Sequence, residues 1–275
     1  MVCCIVLTCA SIAVGTAAAG AQQAETARQE AEERILLHDD FESGISEHWL
    51  AVSDGIDVVA DVADGSVVNH VARLHQGEGL VSPPVPPGDW KGGRKATEAL
   101  KRWDDYEFRF RFRVRGFQRA HWPQNRVIIM TVKWRINPQD SANPFESHLL
   151  YFQVNRSNGR WMLRGPLVGW YNGQQPFTHI IRKNPRRPIR GIEPVTDAWV
   201  TIRIRAKDDH VVVCWDNKLV FEGRDIRCPY GGVRIGARLP GYVHVDALEI
   251  DDVVVRSLAD EEPVMPENLT KERPK

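Results

Sequence analysis

Arg109, Arg111 and Arg113 recur at alternate positions in Tyr106-Glu-Phe-Arg-Phe-Arg-Phe-Arg-Val-Arg115, and Arg203 and Arg205 do the same in Val200-Thr-Ile-Arg-Ile-Arg205. Lys133 and Arg135 repeat the spacing among Val132, Trp134 and Ile136. A guanidinium is a planar fork of donors that matches a carboxylate or sulfate two bonds at a time. Tyr151 and Gln153, which alternate with Leu150, Phe152 and Val154, add an aromatic ring and an amide. Gathered on one concave sheet, these side chains would suit an acidic polysaccharide, the cations meeting its charges and the ring stacking on a sugar face. The plainer alternative is a solvated sheet face whose arginines pair with the acidic ends of the chain.

Trp161, Trp170 and Tyr171 lie near turns, where rings that stack on sugars are placed, although a core role fits each equally well. His148 and His179 flank the same stretch. Beside Tyr151 or Tyr171 they could accept a proton, as a polysaccharide lyase requires, with an arginine neutralising the uronate. As isolated histidines they are ordinary surface residues. No Cys/His zinc spacing, phosphate loop or Gly-x-Ser-x-Gly elbow is present.

The elements that must position these residues read as strands. Tyr106, Phe108, Phe110, Phe112 and Val114 share one face of a period-two pattern, and the arginines share the other. Turn dipeptides fall between such runs: Asn158-Gly159, Asp216-Asn217, Asp208-Asp209 and Asp64-Gly65. Many short antiparallel strands, each with one apolar face, must close into a sandwich or a barrel.

The formal net charge of zero argues against a nucleic-acid partner. The balance is uneven: residues 101–240 hold 26 Lys+Arg against 12 Asp+Glu, and the excess of acid lies in the two ends. Residues 1–21 carry no charged side chain and end in Ala19-Gly20-Ala21, the pattern of a cleaved signal peptide. The segment is short and Ala/Gly/Thr-rich for a membrane span, so the expected product is secreted or periplasmic, with no membrane attachment after cleavage. A polar lead over 22–35, a domain over 36–257 and a disordered acidic, Pro-containing tail over 258–275 complete the expected plan. Cys214 and Cys228 remain after cleavage, either as a disulfide or as two buried thiols.

Several stretches resemble a known superfamily. Leu37-His-Asp-Asp-Phe-Glu-Ser-Gly44 with Trp49 looks like the first strand of concanavalin A-like, laminin-G-like domains. Trp199-Val-Thr-Ile-Arg-Ile, Val211-Val-Val-Cys-Trp-Asp-Asn-Lys-Leu, Gly231-Gly-Val-Arg-Ile-Gly236 and Val245-Asp-Ala-Leu-Glu-Ile-Asp-Asp-Val-Val-Val255 follow in an order similar to family-16 glycoside hydrolases and 3-keto-disaccharide hydrolases. The resemblance implies an all-β, two-sheet antiparallel jelly-roll sandwich that binds a glycan or degrades one as a lyase or keto-glycoside hydrolase; a structural interaction domain is the third reading. It also implies a structural Ca²⁺ held by Asp39, Asp40, Asp246 and Asp251, and no other cofactor. The Glu-x-Asp-x-x-Glu signature of family-16 hydrolases is missing, so retaining hydrolysis by that pair of carboxylates is not expected.

Overall fold

The computed structural model describes residues 35–51, 56–63, 66–75, 79–82, 103–115, 126–137, 146–157, 160–172, 176–180, 198–224, 230–237 and 247–265. Fifteen strands and no helix occur among them.

The first sheet has eight strands. In spatial order they are β13 (Lys218–Arg224), β12 (His210–Trp215), β11 (Val200–Lys207), β6 (Tyr106–Arg115), β15 (Ala247–Ser257), β4 (Ser66–Leu74) and β3 (Asp57–Ala63). The eighth, β1 (Ile35–Asp39), also pairs with β15. The second sheet runs β10 (Pro176–Ile180), β9 (Arg160–Asn172), β8 (Glu146–Ser157), β7 (Arg126–Asn137), β14 (Gly232–Ala237), β5 (Gly79–Ser82) and β2 (Leu50–Ala51). The pairs β6–β11, β7–β14, β6–β15, β7–β8 and β8–β9 are antiparallel, and the two sheets form a jelly-roll sandwich. For β8 to β10 the description is one of backbone and register.

The core forms where the alternation predicts it. Tyr106, Phe108, Phe110 and Phe112 of β6 are fully buried, as are Ile202 and Ile204 of β11 and Leu248 and Ile250 of β15. They meet Met130, Val132, Trp134, Ile235 and Leu80 in one apolar cluster. Each such side chain contributes about 1.5–3 kcal/mol by leaving water. Phe112 packs edge-on against Trp215, with ring centres 5.9 Å apart.

Two corners are fixed by polar side chains. Asp39, at the end of β1, accepts hydrogen bonds from the backbone N–H of Phe41 (2.9 Å) and Ser46 (3.2 Å) and from Trp49 Nε1 (2.8 Å). Asp216 and Asn217 both take left-handed φ, 45° and 64°, and close the β12–β13 hairpin as a two-residue turn.

The chain beyond β15 departs from the expected disorder. Leu258 is buried and its N–H donates to the Asp105 carbonyl at 2.9 Å. Lys207 Nζ reaches the carbonyls of Ala259, Asp260 and Glu262. Charge on β11, rather than apolar content, ties this segment down; residues 266–275 lie outside the described residues.

Candidate functional site

The arginines expected to share a wall divide between the two sheets. Arg109, Arg111 and Arg113 of β6 and Arg203 and Arg205 of β11 do share one, with Arg109 directly opposite Arg203. Lys133, Arg135, Tyr151, Gln153, Trp161 and Trp170 belong to β7, β8 and β9 of the other sheet.

On the outer face of the first sheet most of the positive charge is met by carboxylates from strands distant in sequence. Glu249 and Asp251 alternate on β15 with core residues, as Arg113 and Arg111 do on β6, and the register sets the pairs side by side. Glu249 receives Arg113 Nε at 2.5 Å and Arg73 Nη2 at 2.6 Å. Arg113 also reaches Asp61 at 2.6 Å. Arg111 contacts Asp251, which takes a second bond from Asn69 Nδ2 at 2.6 Å, and Asp252 at 2.8 Å. Trp199 lies over both guanidiniums, 5.0 Å from Arg111 and 4.4 Å from Arg113. Burial pushes the Asp251 carboxyl above its ordinary range despite the Arg111 hydrogen bond, and the same arginine contacts limit that rise. Burial pulls Asp61 upward too, but the hydrogen bond and charge of Arg113 leave it below the usual carboxylate range. This end of the face is an internally neutralised network. Arg73, Trp199 and Glu249 were not singled out in the sequence.

Arg135 corrects an expectation outright. The alternation places it outward, but a bulge next to Trp134 gives it φ 50° and turns it fully inside. Its guanidinium donates to the Asp104 carbonyl (3.1 and 2.9 Å), the Asp208 carbonyl (2.6 Å) and Asp105 Oδ1 (3.2 Å). Four of its five N–H donors are so engaged, and the side chain is fully buried, out of a ligand's reach.

The second sheet carries a different surface. Leu80, Ile235 and Val132 form one core row across β5, β14 and β7. The neighbouring rows therefore belong to its other face: Gly79 opposite Gly236 opposite Thr131, and Arg234 opposite Lys133. A Cβ at Gly79 would meet the Ile235 carbonyl oxygen at 2.8 Å and Gly236 Cα at 3.2 Å, so the position admits only glycine. Thr131 Oγ1 donates to the Gly236 carbonyl at 3.4 Å. The register continues the first row to Tyr151 and Leu167, and the second to Leu149 and Gly169. His148, Trp170 and His179 fall in a third row with the core residue Trp134. Tyr171 is opposite Ser147, Gln153 is opposite Ile128 and Arg164, and Trp161 is opposite Arg156. The signal for the glycine strip was present in Gly231-Gly-Val-Arg-Ile-Gly236, where Arg234 and Gly236 alternate with core positions.

Residues 40–247 match the family described as the 3-keto-alpha-glucoside-1,2-lyase-like domain. The chain belongs to that family. The family match spans β2 to β14 and so includes both the glycine strip and the arginines of β6 and β11. No curated protein matches the chain. Among solved structures, the carbohydrate-binding module CBM66 from Bacillus subtilis is 10% identical over 76% of this chain and 96% of its own, with a TM-score of 0.35. The VIP36 exoplasmic/lumenal domain in its Ca²⁺/Man2-bound form is 12% identical over 84% of this chain and 90% of its own, at 0.47. The metal-free Emp46p carbohydrate recognition domain is 12% identical over 80% and 96%, at 0.42.

The Ca²⁺ set implied by the resemblance does not fit the residues described in this family member. Both oxygens of Asp39 are occupied by N–H donors, and Asp251 faces the Arg111 guanidinium, which would repel a cation. Asp40 is exposed and accepts from the Glu42 N–H at 3.2 Å, and Asp246 lies outside the described residues. Among the described residues no group of three or more His, Cys, Asp or Glu is placed to hold a metal ion. Cys214 is a buried free thiol rather than half of a disulfide, and burial pushes it up to about 11; Cys228 lies outside the described residues.

Proposed function

We propose that the protein is an exported glycan-binding jelly roll whose sugar site lies on the outer face of β5, β14, β7 and β8. One observation carries the reading: Arg234 and Lys133 lie opposite each other beside the row Gly79–Gly236–Thr131, whose two glycines are buried, with Arg234 Nε 3.6 Å from where a Cβ of Gly79 would stand. The missing Cβ at Gly79 lets the Arg234 side chain lie close along the sheet, which sets a guanidinium beside the Lys133 ammonium. The threonine supplies a hydroxyl, Tyr151 stands at the next register position, and the two cations suit a uronate or sulfate group. Family membership and the uncharged first 21 residues support the sugar and the export.

A second reading, cleavage of a keto-glycoside or uronate-containing glycan, is favoured by the family description. His148 and His179, one strand either side of Trp170, are its candidate proton acceptors.

One experiment separates the two. The protein beginning at Gln22 is run through gels containing neutral, uronate-bearing and sulfated polysaccharides, with parallel assays of reducing ends and absorbance near 235 nm. Retardation without new ends supports a binder, and Lys133→Ala or Arg234→Ala should then weaken it about tenfold, the scale of one lost charged hydrogen bond. New ends support the enzyme. Neither retardation nor cleavage by any polymer would overturn both.

A further inference from the structure

The first sheet's outer face is neutral at one end only. Towards the other end Glu107 Oε2 lies 3.3 Å from Arg205 Nε and 3.4 Å from Arg256 Nη2, and its Oε1 is no closer than 3.9 Å to Arg203 Nε. Glu262 also serves Arg205 and Arg256. Asp251 and Asp252, on the far side, are committed to Arg111. Glu107 and Glu262 are thus drawn to Arg205 and Arg256, and Glu222, in the same row, to His210, which leaves an excess of positive charge at Arg109 and Arg203.

Arg109 and Arg203 bear this excess. They are opposed residues on adjacent antiparallel strands, which puts their Cα atoms about 4.5–5.5 Å apart. Like charges in that relationship repel. Arg109 has no ion pair or hydrogen bond among the described residues, and Arg203 Nε is buried with no hydrogen-bond acceptor. Both side chains are part-exposed, so a small solute can reach them.

We propose that Arg109 and Arg203 form a binding site for a tetrahedral oxyanion, a sulfate or phosphate group, on the sheet opposite the sugar surface. A doubly charged anion between the two forks would cancel their repulsion, supply the acceptor that Arg203 Nε lacks, and balance the local charge. The site is independent of the glycine strip.

The test is thermal unfolding of the chain from Gln22 in inorganic sulfate or phosphate, against chloride at equal ionic strength. The wild type should gain several degrees in either oxyanion. Arg109→Gln should lose at least half of that gain and be no less stable in chloride, because the substitution removes a repulsion. Arg109→Lys should recover part of the gain, and Lys218→Ala, which removes an exposed cation at the edge of the same sheet, should keep all of it. Dextran sulfate, run as a separate arm, assigns a polymer-borne source if it acts at lower sulfate concentration than the free ion and loses at least half of its effect in Arg109→Gln. Equal gains in wild type and Arg109→Gln, or no gain beyond chloride in the wild type, would overturn the proposal.

Discussion

The Tyr106 hydroxyl accepts the backbone N–H of Arg135 at 2.7 Å and donates to the Gly231 carbonyl at 3.2 Å, joining β6 of one sheet to β7 and the start of β14 in the other. All three groups are buried. Tyr106→Phe keeps the ring but strands a buried donor and a buried acceptor, at about 1–3 kcal/mol each. Chemical denaturation should show a loss in that range with an unchanged slope. A loss below about 0.5 kcal/mol would mean that the bulge at Arg135 is held by its guanidinium alone.

Glu249 is the hub of the neutral network, 1% exposed and bonded to both Arg73 and Arg113. Removing one partner of a buried pair costs about 3–5 kcal/mol, because a charge is left in a poor solvent. Glu249→Ala should fall near the low end, since Arg113 keeps Asp61. Replacing Arg113 by Met in the same chain should restore part of the loss, and a double-mutant cycle measures how much.

Hydrogen bonding and charge from Arg256, joined by Arg205, lower Glu262 from its ordinary 4.5 to about 2. Its folded value is depressed, so its contribution is complete above about pH 4.5 and disappears as the pH falls towards 2. Between those limits the segment after Leu258 should become open to protease and hydrogen exchange before the sandwich unfolds. Glu262→Gln should open it already at neutral pH and abolish that pH dependence.

Cys214, 1% exposed with its thiol pushed up to about 11, should be inert in the native state. Mass spectrometry after iodoacetamide should find it unmodified when folded and alkylated in denaturant without prior reduction. Alkylation only after reduction would restore the disulfide, the other of the two alternatives that the sequence leaves open.

Much of the fold was legible because burial imposes a period of two. The alternation in Tyr106–Arg115 located β6 and its core face without error, and Asp216-Asn217 marked a real hairpin. Arg135 was misread because alternation assumes a regular pleat, and one left-handed residue breaks it. The arginines of β6 were read as open because their partners are remote: Asp251 lies 140 residues from Arg111. A complementary spacing was nevertheless in view. Arg111 and Arg113 are two apart, as are Glu249 and Asp251, and antiparallel strands bring such pairs face to face. The glycine strip was obscure for a different reason, since the absence of side chains matters only once neighbouring strands are known.

The central place of β15, flanked by β6 and β4, constrains how the molecule is made. Among the described residues it is the last strand, so a ribosome releases it after the other described strands have emerged. Until then β6 and β4 each present an unsatisfied edge, and of the carboxylates that pair with Arg111 and Arg113 only Asp61 has been made. The middle of the first sheet must therefore wait for residues 247–257, and long-range pairing of this kind is slow. Such a sheet stays in two open halves, β3 with β4 and β6 with β11 to β13, until that one strand joins them.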